Sequence, residues 1–271
     1  MLPFQRKEGI KMAVTNFIQQ IWSKKIQDDL ELKCKLVDNC LRDYEGDCKY
    51  AQSVKILGVG EPTIGDYDGS QDITIEDMTD KGQILTIDQA KYFAFYVDDV
   101  DKAQSVPGLP EKYQQKAVHG LAVARDTYVA TLIAAATNKT NVTLTEEGVK
   151  KGVDDAIVAL RERNFDEDGV IEMTPAFYNL FKNHLITLST NNPELIRKGV
   201  VGMYDNFECI MSNNLKTPCD IRGKKAVAFA GQINEVEALR AEKRFKDIVR
   251  GLDTFGAKVI DENRIQVLTT A

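Results

Sequence analysis

The chain has 271 residues, of which 43% are hydrophobic and 28% charged, with a net charge of −6. Those values describe a globular chain large enough for one or two hydrophobic cores. The acidity speaks against a protein whose main task is gripping nucleic acid, and no apolar run approaches the length of a membrane span.

Residues 1–11 are polar and aperiodic, and Met12-Ala-Val-Thr-Asn-Phe-Ile18 reads like a second start. No apolar signal core is present, so secretion is not expected. Phe17, Ile18, Ile21 and Trp22 cluster in an arm. Aromatics in a terminal arm serve either docking onto another surface or packing on the chain's own core. Ile26, Leu30, Leu32 and Leu36 predict a helix over residues 24–41. Residues 53–59 alternate and carry β-formers, as a strand does.

From Gly60 to Gln83 the chain is rich in glycine, with Ile64, Tyr67, Ile73 and Ile75 as sparse apolar residues. A two-stranded ribbon of this kind has no core of its own and is marginal in water. It is expected to lie on a partner chain or to close over a site. Residues 84–87 and 91–97 read as the strands that follow. Asp98, Asp99 and Asp101 form an acidic knot, read as a solvated loop with a cation site as the alternative.

Leu109 to Thr137 is the stretch around which the rest is organised. Pro110 suits a first helical turn, where its missing N–H costs nothing. Tyr113, Ala117, Gly120, Leu121, Ala124, Tyr128, Thr131, Leu132 and Ala135 form one stripe, and Val118, Ala122, Val129 and Ile133 a second. Two stripes predict a helix packed on two sides, roughly 43 Å long. Arg125 and Asp126, charged inside this apolar beam, are expected to meet partners in a packed interface.

Thr145 caps a second helix through Asn164, with Val149, Val153, Ile157, Val158 and Leu160 as its apolar positions. The run from Asn164 through Asp166 and Asp168 to Gly169 follows a calcium loop until position 12, which is Pro175 instead of the bidentate Glu. A turn into a strand over residues 169–173 is the better reading, and Pro175 then opens a helix to Leu188. Strands are expected at 207–211, 226–230, 244–260 and 265–268, with a short helix at 233–241. Gly251 and Gly256 are expected to permit bulges or bends.

The five cysteines, Cys34, Cys40, Cys48, Cys209 and Cys219, are odd in number and form no C-x-x-C pair. They read as reduced thiols of a cytosolic compartment. The two histidines, His119 and His184, both fall inside predicted helices. No phosphate loop, nucleophile elbow, zinc-protease motif or dinucleotide fingerprint occurs. No enzymatic activity, cofactor or metal is expected.

Several segments, taken in order, carry a family resemblance. They are the arm to Trp22-Ser23, Asp43-Tyr-Glu-Gly46 before the strand at 54–59, and Leu85-Thr-Ile-Asp88-Gln89 with Lys91-Tyr-Phe93. The segment Asp98 to Gln104, the long helix, and Phe165 through Pro175 follow. Gly199-Val-Val-Gly202 comes next, with Phe207, Ser212 and Asn213, then Asp247-Ile-Val-Arg-Gly251 and Phe255-Gly-Ala257. Their order and spacing resemble the major capsid proteins of tailed bacteriophages, the family with the Hong Kong phage capsid fold.

The resemblance implies an α+β fold in four parts. Residues 1–41 form an N-terminal arm and first helix, and 42–104 an extended β-hairpin loop with flanking strands. Residues 105–143 and 242–271 form a peripheral domain around a spine helix, and 144–241 an axial domain. It implies a structural subunit that assembles as hexamers and pentamers into an icosahedral head. That head encloses packaged double-stranded DNA without sequence-specific binding. Phe17, Ile18 and Trp22 of the arm, and Ile64, Tyr67, Ile73 and Ile75 of the loop, become expected intersubunit contacts. Leu121, Tyr128 and Leu132 become expected packing residues of the spine.

The partners implied are a separate scaffolding protein, a portal and decoration proteins, with no membrane. The implied location is the virion capsid, and the host cytoplasm during assembly. Two other readings stand beside it: an encapsulin-type nanocompartment shell, and a soluble enzyme or calcium-binding module around Asp166 and Asp168.

Overall fold

A computed structural model describes Leu30 and residues 34–44, 53–56, 82–98, 109–188, 202–240 and 246–270. The strands are β1 (Ser53–Ile56), β2 (Gln83–Thr86), β3 (Gln89–Asp98), β4 (Lys139–Val142), β5 (Gly169–Met173), β6 (Met203–Tyr204), β7 (Phe207–Met211), β8 (Cys219–Gly223), β9 (Val227–Arg240), β10 (Lys246–Val259) and β11 (Ile265–Thr270). The helices are α1 (Leu109–Ala134), α2 (Glu146–Arg161) and α3 (Pro175–Leu188).

The strands form three sheets. β1 and β2 make an antiparallel ribbon. β3, β10 and β9 make an antiparallel sheet of long strands, in that order. The third sheet is mixed, ordered β4-β11-β8-β5-β7-β6, with β4 parallel to β11 and β5 parallel to β7. β6 and β7 are joined by Asp205 and Asn206 at φ 49° and 69°. Two successive positive φ angles are what a two-residue hairpin turn requires, and Asp and Asn tolerate them.

The central strands of the six-stranded sheet, β11, β8 and β5, are buried on both faces. On one, Ile171, Met173, Cys219, Ile221 and Leu268 meet Val149, Val153, Ile157 and Leu160 of α2 and Phe177 and Phe181 of α3. Each fully buried aliphatic of α2 contributes about 1.5–3 kcal/mol of transfer free energy. Thr145 starts α2 by accepting the Gly148 N–H at 3.1 Å. On the other face, Ile265 and Val267 join the core beneath α1, with Val129 and Ile133 of the helix and Phe229 and Phe255 of the long-stranded sheet. A third cluster seats the ribbon: Val54, Ile56 and Leu85 on Ala228 and Ala230 of β9. Gly256 permits that seating, because a Cβ there would lie 2.1 Å from the Thr86 carbonyl oxygen.

Four expectations need correction. First, the helix predicted to run to Leu41 is gone by Cys34. Residues 34–41 hold only a short 3-10 turn, Val37–Asn39, and a bridge from Leu41 to Ala228. The N–H and C=O groups of this segment are taken by buried side chains described below, which replaces the helical ladder. Second, residues 233–240 are strand. Pairing with β10 runs from Val227 to Arg240 and overrides the helix-forming Glu235-Val-Glu-Ala-Leu-Arg240. Third, the bulge sits on β9, where Asn234 is skipped between Leu252 and Asp253, and not at either glycine.

Fourth, α1 is not covered on two sides within one chain. Val118, Ala122, Val129 and Ile133 are buried, whereas Lys116, His119, Gly120 and Thr131 are exposed. The second of the two stripes is wholly buried, whereas Leu121 is the one buried residue of the first. The helix also ends at Ala134, short of Thr137.

Candidate functional site

Charged side chains converge where α1, the six-stranded sheet and the segment 34–41 meet. Asp126 points from α1 into the segment and is 1% exposed. Its carboxylate accepts the N–H groups of Lys35, Leu36 and Val37 at 3.1, 3.1 and 3.3 Å. It also accepts Nδ2 of Asn214 at 3.2 Å. Burial raises its pKa, and these donors pull it back. A carboxylate thus caps the short 3-10 turn from another part of the chain.

The carbonyls of the same segment go to Arg222 of β8, which is wholly buried. One Nη of Arg222 donates to the Asn39 carbonyl at 2.7 Å, and the other to the Leu36 carbonyl at 2.8 Å. Arg222 also holds Glu172 of β5 through Nε at 3.1 Å and Nη at 2.8 Å. Beside them Asp220, opposite Glu172 in the register, is fully buried. Across the helix, Arg125 grips Asp253 of β10 with Nε at 2.9 Å and Nη at 2.5 Å. Its guanidinium stands 5.6 Å from the Phe229 ring centre and 5.9 Å from that of Phe255. Arg125 and Asp126, neighbours in sequence, therefore pin the spine to the three-stranded sheet and to the segment 35–37.

This constellation is a joint, not a reaction centre. Its cations and the Asp126 carboxylate are engaged by protein partners, and burial suppresses the thiols beside it. Burial raises the Cys34 thiol to about 12 and the Cys40 thiol to about 11. Cys219 is raised well above its ordinary value for the same reason. Thiolate being the nucleophile, low reactivity at neutral pH is expected of all three. Iodoacetamide is expected to leave Cys34, Cys40 and Cys219 unmodified in the native protein and to label all three in denaturant, read by peptide mass spectrometry.

A second feature is the outward face of the three-stranded sheet. Tyr92 and Tyr96 of β3 are 81% and 66% exposed, and Leu239 and Leu252 stand beside them. Alternation sends Phe93 and Phe95 inward, where Phe95 stacks on Tyr113 of α1 at 5.8 Å. A groove of about 460 Å³ on this face is lined by Tyr92, Ala94, Glu237, Arg250 and Leu252. The cross-strand pair Arg250–Glu237 bonds at 2.7 Å along it.

The other residues singled out by sequence fall as follows. Leu121 is buried, and Tyr128 and Leu132 are partly buried against the main core. Tyr128 also donates to Asp88 at 2.9 Å and meets Phe255 edge-on. Phe17, Ile18, Trp22, Ile64, Tyr67, Ile73 and Ile75 lie outside the described residues, as do Asp99, Asp101 and Cys48. Asp166 and Asp168 are exposed, and among the described residues no three His, Cys, Asp or Glu side chains gather as a metal site. Sequence reasoning missed Glu172, Asp220 and Arg222. The signal was there: Asp220 and Arg222 alternate with Cys219 and Ile221 in β8, and Glu172 is the lone charge of an otherwise apolar β5.

No family profile matches the sequence, and no curated protein sequence is significantly similar to it. Solved structures do match. A chain of Mycobacterium phage Che8 is 23% identical with a TM-score of 0.74, the match covering 87% of this chain and 90% of that one. A capsid structure of the cyanophage P-SCSP1u matches at 16% identity and a TM-score of 0.69, covering 86% of each chain. A virus-like particle from Pyrococcus furiosus matches at 13% identity and a TM-score of 0.59, covering 93% of this chain and 99% of that one.

Proposed function

We propose, from a fold shared with phage capsid chains, that this protein is the structural subunit of an icosahedral tailed-phage head. In this reading it assembles as hexamers and pentamers around packaged double-stranded DNA. The observation that carries the proposal is the match over nearly the full length of both this chain and the Che8 chain. The physics agrees with it. A shell wall needs a rigid body, and buried charges here tie the spine helix to the long-stranded sheet and to the segment 35–37. It also needs adhesive surfaces, and a single chain leaves Tyr92, Tyr96, Leu239 and Leu252 exposed on one sheet face. An acidic wall encloses DNA without gripping it.

The role is structural and not enzymatic. We assign residues 42–104 to an extended loop, 105–143 and 242–271 to a peripheral domain, and 144–241 to an axial domain. Phe17, Ile18 and Trp22, with Ile64, Tyr67, Ile73 and Ile75, are proposed as contacts between subunits. A separate scaffolding protein, a portal and decoration proteins complete the proposed set of partners. Assembly would take place in the host cytoplasm. A shell without a phage genome is the second reading, favoured by the 99% coverage of the Pyrococcus furiosus particle chain. Its lower TM-score places it behind the phage reading.

Replacing residues 64–75 by a short Gly-Ser turn tests the division of labour. Circular dichroism and melting of the subunit are expected to stay nearly unchanged, while shell formation fails. Each apolar contact of the loop would contribute about 1.5–3 kcal/mol before binding costs. Unfolding of the shortened chain would place the loop in the core. Normal shells would remove it from the interface.

A further inference from the structure

Glu172 and Asp220 are directly paired residues of β5 and β8, and both are wholly buried. The Cβ atoms of such a pair lie about 4.5–5.5 Å apart, and like charges so placed repel. Arg222 divides its donors between Glu172 and the carbonyls of Leu36 and Asn39. Neither oxygen of Asp220 has a hydrogen-bond partner when both groups are counted as carboxylates. An ionised Asp220 would therefore be desolvated, without a donor, and opposite a second negative charge. A carboxylic acid in the same place removes the second negative charge, and its O–H donates to Glu172.

We infer that Asp220 stands in this core as a carboxylic acid whose proton is shared with Glu172. That proton keeps intact the Glu172–Arg222 pair that holds the segment 36–39. Burial first, and the Glu172 charge second, push Asp220 well above the usual carboxylate range, with Arg222 opposing. The other groups facing the pair are accounted for. Cys40 is held as a neutral thiol by burial, and Cys219 lies on the opposite face of β8. Asp126, across the segment, has four donors. β11 presents Ile265 and Val267 on this face, and β7 places Ile210 beside Glu172.

The sign follows from linkage. An unfolded Asp loses its proton near about pH 3.9. Above that, the native state holds a proton that the unfolded state has lost. Stability is therefore fully present below the unfolded pKa and falls as pH rises toward the raised native one. Each pH unit in that window shifts the unfolding equilibrium about tenfold.

Asp220→Asn keeps the shape and a donor to Glu172 but has no proton to lose. Denaturant unfolding of wild type and variant would be compared from about pH 5 to about pH 8. The ratio of their unfolding constants is expected to shift as pH rises, wild type weakening by up to about tenfold per pH unit below the native pKa. A ratio that stays flat overturns the inference. Infrared spectroscopy of the native wild type supplies a test that needs no variant. A protonated-carboxyl stretch at neutral pH that vanishes on unfolding is expected, and its absence overturns the inference equally.

Discussion

Replacing Arg222 with Ala is expected to destabilise the subunit by about 3–5 kcal/mol, the range for breaking a buried ion pair from one side. Three acceptors lose their donors at once: Glu172, the Leu36 carbonyl and the Asn39 carbonyl. Water cannot replace the guanidinium, because the residue is 0% exposed. Glu172 would then be a buried carboxylate beside Asp220, so two acidic groups would compete for one site with no cation. The loss should appear in guanidinium unfolding as a lower midpoint with an unchanged slope. Removing Glu172 together with Arg222 should cost less than the sum of the single changes, because each single variant strands its partner. A loss below about 1 kcal/mol for Arg222→Ala would mean that the pair is not a structural joint.

Leu121→Asp is expected to be comparably severe. Leu121 is 5% exposed and belongs to the core shared by α1 and the long-stranded sheet. The change removes apolar contacts and sets an unpaired carboxylate among them, at a cost of more than about 4 kcal/mol. Leu132 supplies an internal comparison. It is only partly buried against the same cluster, so Leu132→Asp should lower the melting temperature by less. Equal effects at the two positions, or a normally melting Leu121→Asp protein, would contradict the packing described for the spine.

The long helix, the capped α2 and the strand β5 were legible because periodicity and capping are local signals. Thr145 before Glu146-Glu147 marks its helix without help from the rest of the chain. The misread segments are those whose backbone partners lie far away in sequence. Residues 34–41 have helical composition, but their N–H groups go to Asp126, about ninety positions on, and their carbonyls to Arg222, farther still. Residues 233–240 carry helix formers, but β10 supplies a continuous ladder. Two apolar stripes on α1 read as two packed sides, whereas the buried face is set by which side the rest of the chain occupies. The joint itself was half legible: Arg125 and Asp126 stood out as charges in an apolar beam, while no strand was expected around Arg222, which lies in β8.

Electron microscopy with sedimentation of the purified chain, alone at high concentration and with a scaffolding protein, tests whether this chain builds shells. Capsomers, tubes or closed shells are expected in at least one of these conditions. A chain that sediments as a monomer in all of them, and shows no ordered particles on the grid, would contradict that expectation.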